Sequence, residues 1–93
     1  MDFEWDDEKN RVNITKHRVE FDLAALIFLG PIIEFEDARH DYGEDRITAL
    51  GYIESECYVV IFTRREDVIR IISARRCGRR DRRRYDAHLA GGT

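Results

Sequence analysis

The 93-residue chain has one proline, two cysteines and two lysines. No apolar run in it approaches the roughly 18 to 20 residues that a membrane-spanning helix needs. The longest, Leu23-Ala24-Ala25-Leu26-Ile27-Phe28-Leu29, is cut off by Gly30 and Pro31, so no membrane partner is expected. The opening Met1-Asp2-Phe3-Glu4-Trp5 is acidic and lacks the basic start of a secretory leader. The cytoplasm is therefore the expected compartment. Cys57 and Cys77 could be bridged, but in a reducing compartment free thiols are the expectation. Metal-binding spacings such as CxxC and HExxH are absent, as are the P-loop, GxGxxG and GxSxG. Neither a metal nor an organic cofactor is expected.

What is present suits one compact domain over residues 1–93: 43% hydrophobic and 38% charged residues, enough of the former for a core and too many for a disordered chain. The net charge of −3 conceals a division. Residues 1–45 hold 13 acidic and 5 basic side chains, and residues 46–93 hold 6 acidic and 11 basic. Fourteen of the 16 basic residues are arginine, seven of them between Arg75 and Arg84. Arginine suits bidentate contact with phosphate, so the second half is a candidate nucleic-acid surface; the plainer reading is a solvated basic helix.

The periodicity predicts β-α-α-β-β-β-β-α. Phe3-Glu4-Trp5 reads as a short edge strand, its aromatics as core rather than as a base-stacking platform. Asp6 is an N-cap for a helix over residues 7–16, with Asp7 and Glu8 favourable at its positive end. Asp22 is the N-cap candidate for a second helix over residues 23–29, ended by Gly30 and Pro31. Alternation then predicts strands over residues 32–36, 46–53, 57–63 and 68–74, the last three an antiparallel meander. A polar loop fills residues 37–45, and residues 79–89 form a closing helix. The strand over 57–63 is apolar on both faces, which suits a central strand covered on each side. The fold class is α+β.

Two groups of residues carry candidate chemistry. In Arg70-Ile71-Ile72-Ser73-Ala74-Arg75-Arg76, plain alternation sets Arg70 and Ile72 on one face, Ile71, Ser73 and Arg75 on the other. An arginine in an Ile/Val strand must be paired or at a cleft; Arg70 either pairs with an acid of the first helix or contacts a phosphate. Lys9, Asn13, Lys16 and His17 share one side of the first helix. Metal-free RNA cleavage needs a base for the ribose 2′-hydroxyl, cationic stabilisation of the phosphorane and an acid for the leaving 5′-oxygen. His17 or Lys16 would move the protons, and Arg70 and Arg75 would stabilise the charge, giving a 2′,3′-cyclic phosphate. Lys9 and Arg76 would hold flanking phosphates, with Asn13 and Ser73 also contacting RNA. The acids of Asp41-Tyr42-Gly43-Glu44-Asp45 lack EF-hand spacing, and His40 and His88 read as exposed.

Phe3-Glu4-Trp5-Asp6, Lys9, Asn13, Lys16-His17, the run from Arg70 to Arg76 and the tail Arg79-Arg80-Asp81-Arg82-Arg83-Arg84-Tyr85 together resemble the BrnT toxin family. The resemblance implies a RelE-like fold and a ribosome-independent ribonuclease that arrests translation and growth. It also implies a type II partnership with a BrnA-like ribbon-helix-helix antitoxin, expected as a heterotetramer that contacts DNA only through the antitoxin. Arg18 stands where a glycine commonly follows the Lys-His pair, Asp81 where glutamate is usual, and Cys77-Gly78 where Ala-Thr is common.

Two other readings remain open. A DNA-binding regulator could use residues 6–29 as its reader, but residues 23–29 offer no side chain able to read a base edge. A catalytically inactive RelE-like protein could use its arginines only for binding, acting with its antitoxin on DNA.

Overall fold

The computed structural model describes residues 1–37 and 45–91. The expected loop over 38–44 with His40, and the last two residues of the tail, lie outside the described residues. Strand β1 (Asp2–Trp5) leads into helix α1 (Asp7–His17), then α2 (Phe21–Ala24), which continues as a 3₁₀ segment (Ala25–Leu29). Strands β2 (Ile32–Asp37), β3 (Arg46–Ile53), β4 (Glu56–Arg65) and β5 (Val68–Arg76) follow, and α3 (Arg79–Leu89) closes the chain. No helix among the described residues is long and apolar enough to cross a membrane.

The five strands form one sheet in the order β1-β5-β4-β3-β2. The meander is antiparallel as expected. β1 departs from the expected antiparallel sheet: it pairs parallel to β5, from Asp2 opposite Val68 to Trp5 opposite Ile71, so the sheet is mixed. Parallel pairing needs a long crossover, and the intervening helices and meander supply it. β4 is the central strand, and Cys57, Tyr58, Val59 and Val60 are all buried.

One face of the sheet carries α1, α2 and the 3₁₀ segment over a core that includes Phe21, Ile27, Val60, Phe62 and Ile71. Phe3 and Trp5 pack against this core, Phe3 near Phe28 and Trp5 edge-on to Phe21. Among the described residues the other face carries α3 alone, seated on Ile33, Leu50, Cys57, Val59 and Cys77 through Tyr85. Tyr85 donates to the Pro31 carbonyl at 2.8 Å and meets the Tyr52 ring edge-on. Burial, then the nearby Tyr52 and Asp86, pushes the Tyr85 hydroxyl above its ordinary pKa, so it stays a neutral donor. Arg84 lies 3.7 Å over the Phe35 ring.

Helix α1 is held by polar groups, since Asn13 is its buried residue. Asp6 caps it as expected, accepting from the Glu8 and Lys9 N–H groups at 2.8 and 3.2 Å. Asp22 is not a cap. The second helix starts two residues earlier than expected, at Phe21, because the Phe21 N–H finds its acceptor in Asn10 Oδ1 at 3.0 Å. That bond ties the start of α2 to α1.

The free-thiol expectation is also corrected. Strand register sets Tyr58 opposite Arg76, which brings the next pair of residues outward, Cys57 and Cys77, to a Cα separation of 5.2 Å, and their sulfurs are bonded. The Cys77 N–H donates to the Cys57 carbonyl at 2.9 Å.

Gly51, opposite Ile32 and Tyr58 in the sheet, is where the 3₁₀ segment approaches most closely. A Cβ there would lie 2.9 Å from Ile27 Cβ and 3.0 Å from Ile32 Cγ2. Gly51→Ala should therefore destabilise the fold by about 1–3 kcal/mol through overpacking, read as a lowered urea midpoint with an unchanged slope.

Candidate functional site at the free edge of β5

β1 stops at Trp5, opposite Ile71, and leaves the outer edge of β5 from Ile72 onward without a strand. The Asn13 side chain takes that place. Its Nδ2 donates to the Ala74 carbonyl at 2.8 Å and to the Val19 carbonyl at 2.9 Å, and its Oδ1 accepts from the Ala74 N–H at 3.1 Å. Oδ1 also lies 3.5 Å from Ser73 Oγ. Only 5% of Asn13 is exposed, and its amide is committed to the backbone. The expected RNA contact is thus a buried clasp between α1 and β5.

That clasp creates a groove of about 230 Å³ lined by Glu8, Lys9, Val12, Asn13, Lys16, His17, Ile72 and Ser73. Lys9, Lys16 and His17 line it without a side-chain hydrogen bond or ion pair among the described residues. Five of the eight residues singled out in the sequence therefore meet at one place.

The arginines of β5 are placed by a bulge. Thr63 pairs with Arg70 and Phe62 with Ile71, but Ile61 pairs with Ser73 and Val59 with Arg75. Ile72 is the extra residue. Residues paired across a sheet share a face, so Arg70, Ser73 and Arg75 lie on the same face as Thr63, Ile61 and Val59. Plain alternation had set Arg70 apart from Ser73 and Arg75; one inserted residue reverses that. Bulges often re-aim side chains in this way. The shared face is the one that carries α3.

Each of these arginines has a carboxylate partner. Arg70 Nη1 donates to Glu4 Oε2 at 2.7 Å, so its acid comes from the first strand, not the first helix. Arg65 also approaches Glu4, at 3.8 Å. Arg75 Nη1 donates to Asp81 Oδ2 at 2.9 Å. Asp81 also receives the Gly78 N–H at 2.9 Å, which caps α3. Burial alone would raise the Asp81 carboxyl, but the Arg75 and Gly78 hydrogen bonds and the charges of Arg75 and Arg84 outweigh it. They hold Asp81 below its usual pKa. Arg76 points the other way: it is opposite Tyr58, 6.0 Å from that ring's centre, with Nε 3.8 Å from Glu56. It does not join Arg75. His88 is exposed on α3, as expected.

Arg18, directly after His17, ends α1 in the left-handed region, with φ 60° and ψ 32°. Its N–H donates to the Ile14 carbonyl at 2.8 Å. This is a helix end that glycine makes without a Cβ clash.

The clasp and the bulge were not visible in the sequence. The only signal for the first is an asparagine amid a polar helix with too few apolar residues to hold it. Nothing in the β5 sequence marks Ile72 as the extra residue.

The sequence model of a family described as "Ribonuclease toxin, BrnT, of type II toxin-antitoxin system" matches residues 5–81. No curated protein matches the chain as a relative.

Two expectations follow from this geometry. Arg18→Gly should raise stability by roughly 0.5–1 kcal/mol, the relief of the left-handed backbone being partly offset by a freer unfolded chain; chemical denaturation reads it. The lowered pKa of Asp81 contributes stability in full above about pH 4, and that contribution is lost as pH falls through its folded value. Asp81→Asn should melt a few degrees below the parent at pH 7, and the gap should close as pH falls through the lowered folded pKa of Asp81, where the parent also loses the charge.

Proposed function

The chain belongs to the BrnT family of ribonuclease toxins of type II toxin–antitoxin systems, and on that premise we propose a metal-independent endoribonuclease built at the free edge of β5. Family membership brings an RNA substrate and a protein antitoxin. The observation that carries the assignment is the bulge at Ile72, which sets Arg70, Ser73 and Arg75 on one face while Ser73 also lines the groove with Lys16 and His17. Proton-transfer groups and cationic groups then flank a single position.

RNA would lie across Ser73 with its scissile phosphate toward Arg70 and Arg75. His17 or Lys16 takes the proton from the ribose 2′-hydroxyl. The 2′-oxygen attacks the phosphorus in line, the bond to the 5′-oxygen breaks, and that oxygen takes a proton from the other member of the His17–Lys16 pair. The product is a 2′,3′-cyclic phosphate. The two arginines stabilise the charge that develops on the phosphoryl oxygens; neither needs to give up a proton. Lys9, at the same groove, holds a flanking phosphate. Asn13 holds α1 in place and touches no substrate, and Arg76 lies on the opposite face, so neither belongs to the reacting set.

The fold reading that accompanies this proposal is RelE-like, and the cleavage needs no ribosome. The antitoxin is a BrnA-like ribbon-helix-helix protein in a heterotetramer; it covers the basic surface and supplies the DNA contact. Translation and growth arrest in the cytoplasm follow from loss of RNA.

The test is cleavage of RNA by the purified chain in excess EDTA, alongside Arg70→Ala and His17→Ala. The parent should cleave and leave 2′,3′-cyclic phosphate ends, and each variant should lose at least about 100-fold in rate with its melting temperature within a few degrees. Arg65 remains beside Glu4 in the first variant, so a bare carboxylate is not left behind. A soluble parent that neither cleaves RNA nor arrests growth on expression would replace the enzyme by the inactive binding protein. Unchanged rates in Arg70→Ala would remove that arginine from the site.

A further inference from the structure

Cys57 and Cys77 do not serve the site just described, yet they sit at the root of α3, the one helix on that face among the described residues. Cys57 is fully buried at the start of β4, and Cys77 is 7% exposed between the last arginine of β5 and the N-cap of α3. Their Cα atoms are 5.2 Å apart, held there by strand register and by the Cys77 N–H on the Cys57 carbonyl. The separation is therefore set by the sheet and does not depend on the sulfur–sulfur bond. Two thiols kept this close can close and reopen without moving the backbone far.

We propose that Cys57 and Cys77 form a reversible dithiol–disulfide site that exchanges with glutathione-type small disulfides and sets how firmly α3 is held. The inference rests on the cytoplasmic reading above, because a reducing compartment does not sustain ordinary structural disulfides. Cys77 is the more exposed residue of the two, 7% against none for Cys57, so it is the one placed to attack first. Cys77 thiolate attacks one sulfur of the oxidised glutathione and expels one glutathione thiol. Cys57 then attacks the Cys77 sulfur of the mixed disulfide and expels the second. The protein loses two electrons and two protons, and one glutathione disulfide becomes two thiols.

The bond matters to α3 because the other ties of its first turn to the sheet are partly exposed ion pairs, Asp81 with Arg75 at 2.9 Å and Arg82 with Glu56 at 3.4 Å. Next to Cys77 come Gly78 and the Asp81 cap, and Asp81 is the partner of Arg75. Farther along, α3 rests on Tyr85 and on Arg84 over Phe35. Opening the disulfide leaves the far anchors in place and loosens the near one, together with the carboxylate that orients Arg75.

The experiment equilibrates the purified full chain in glutathione buffers from fully reduced to fully oxidised, traps thiols by alkylation and reads the mass. Backbone hydrogen exchange is followed in the two end states, with Cys57→Ser/Cys77→Ser as a variant that cannot close. The expected result is a single two-electron transition within the buffer range. In the reduced protein the amides of residues 79–89 should exchange at least tenfold faster, with those of β3 and β4 little changed. The melting temperature should fall by roughly 10 °C, and the double variant should match the reduced form at every ratio. A pair that stays bonded at every ratio is a permanent cross-link, a pair that never closes is no site, and equal exchange of α3 in both states removes the link to that helix; each overturns the proposal. None of these readings uses RNA cleavage, so a chain inactive on RNA that still shows the transition would remove the ribonuclease reading alone.

Discussion

Every strand in a sheet must place its backbone N–H and C=O groups somewhere, and β5 runs out of partner on one side after Ile71. An unpaired stretch there would cost on the order of 1–3 kcal/mol for each buried group left unmade. The Asn13 amide presents the same donor and acceptor as a strand residue, and it meets both backbone groups of Ala74. Because it stands on α1, satisfying the sheet edge also fixes the helix. A helix with so little apolar surface could not be held by burial alone. The groove with Lys9, Lys16 and His17 is a consequence of that arrangement, and so is the space into which Ile72 bulges.

The charge division along the chain takes a different form once the chain is folded. The acidic first half does not form a separate lobe. Glu4 meets Arg70, and Glu34 meets Arg64 through two hydrogen bonds at 3.1 and 2.8 Å. Arginine-rich strands thus fold beside carboxylates that orient them, and half-exposed pairs of this kind are worth at most about 1 kcal/mol. An RNA phosphodiester, with one negative charge shared over two non-bridging oxygens, can displace such a partner at small cost. Lys9, Lys16 and His17 of α1 have no carboxylate partner among the described residues, and the same holds of Arg79, Arg80 and Arg83 of α3. An RNA strand laid across Ser73 would meet free cations on one side and arginines already aimed on the other.

Much of this fold could be read from residues. The order of elements, the Asp6 cap, the central position of β4 and the closing helix follow from periodicity and capping, which are local. What could not be read depends on partners distant in sequence. The parallel pairing of β1 needs the whole crossover, and the start of α2 at Phe21 needs an acceptor eleven residues upstream, in Asn10. The Cys57–Cys77 bond needs the register of β4 against β5. The candidate site shows the same limit. The types of group were legible, and Lys9, Lys16 and His17 do share a groove. Asn13 was misassigned because a buried and an exposed asparagine look alike in a polar helix. Arg76 is expected beside Lys9 at a flanking phosphate, whereas its register opposite Tyr58 sends it to the face away from Arg75.

The three places where the resemblance implies a departure from the family's usual residue fall at the ends of helices. Arg18 ends α1, Cys77-Gly78 leads into α3, and Asp81 caps it. Helix ends are where unsatisfied backbone groups gather, so a changed residue there alters how the helix is held while leaving its interior intact. At Arg18 the chain accepts a left-handed residue with a side chain directly after His17. At Asp81 a shorter carboxylate still reaches both Gly78 and Arg75, so the cap and the arginine's partner are one group. At Cys77 the backbone bond to Cys57 is reinforced by a covalent one. The interior residues that make the groove and the shared arginine face are untouched by all three. These residues set how α1 and α3 are fastened to the sheet, and each helix end lies next to a group that the proposed chemistry uses.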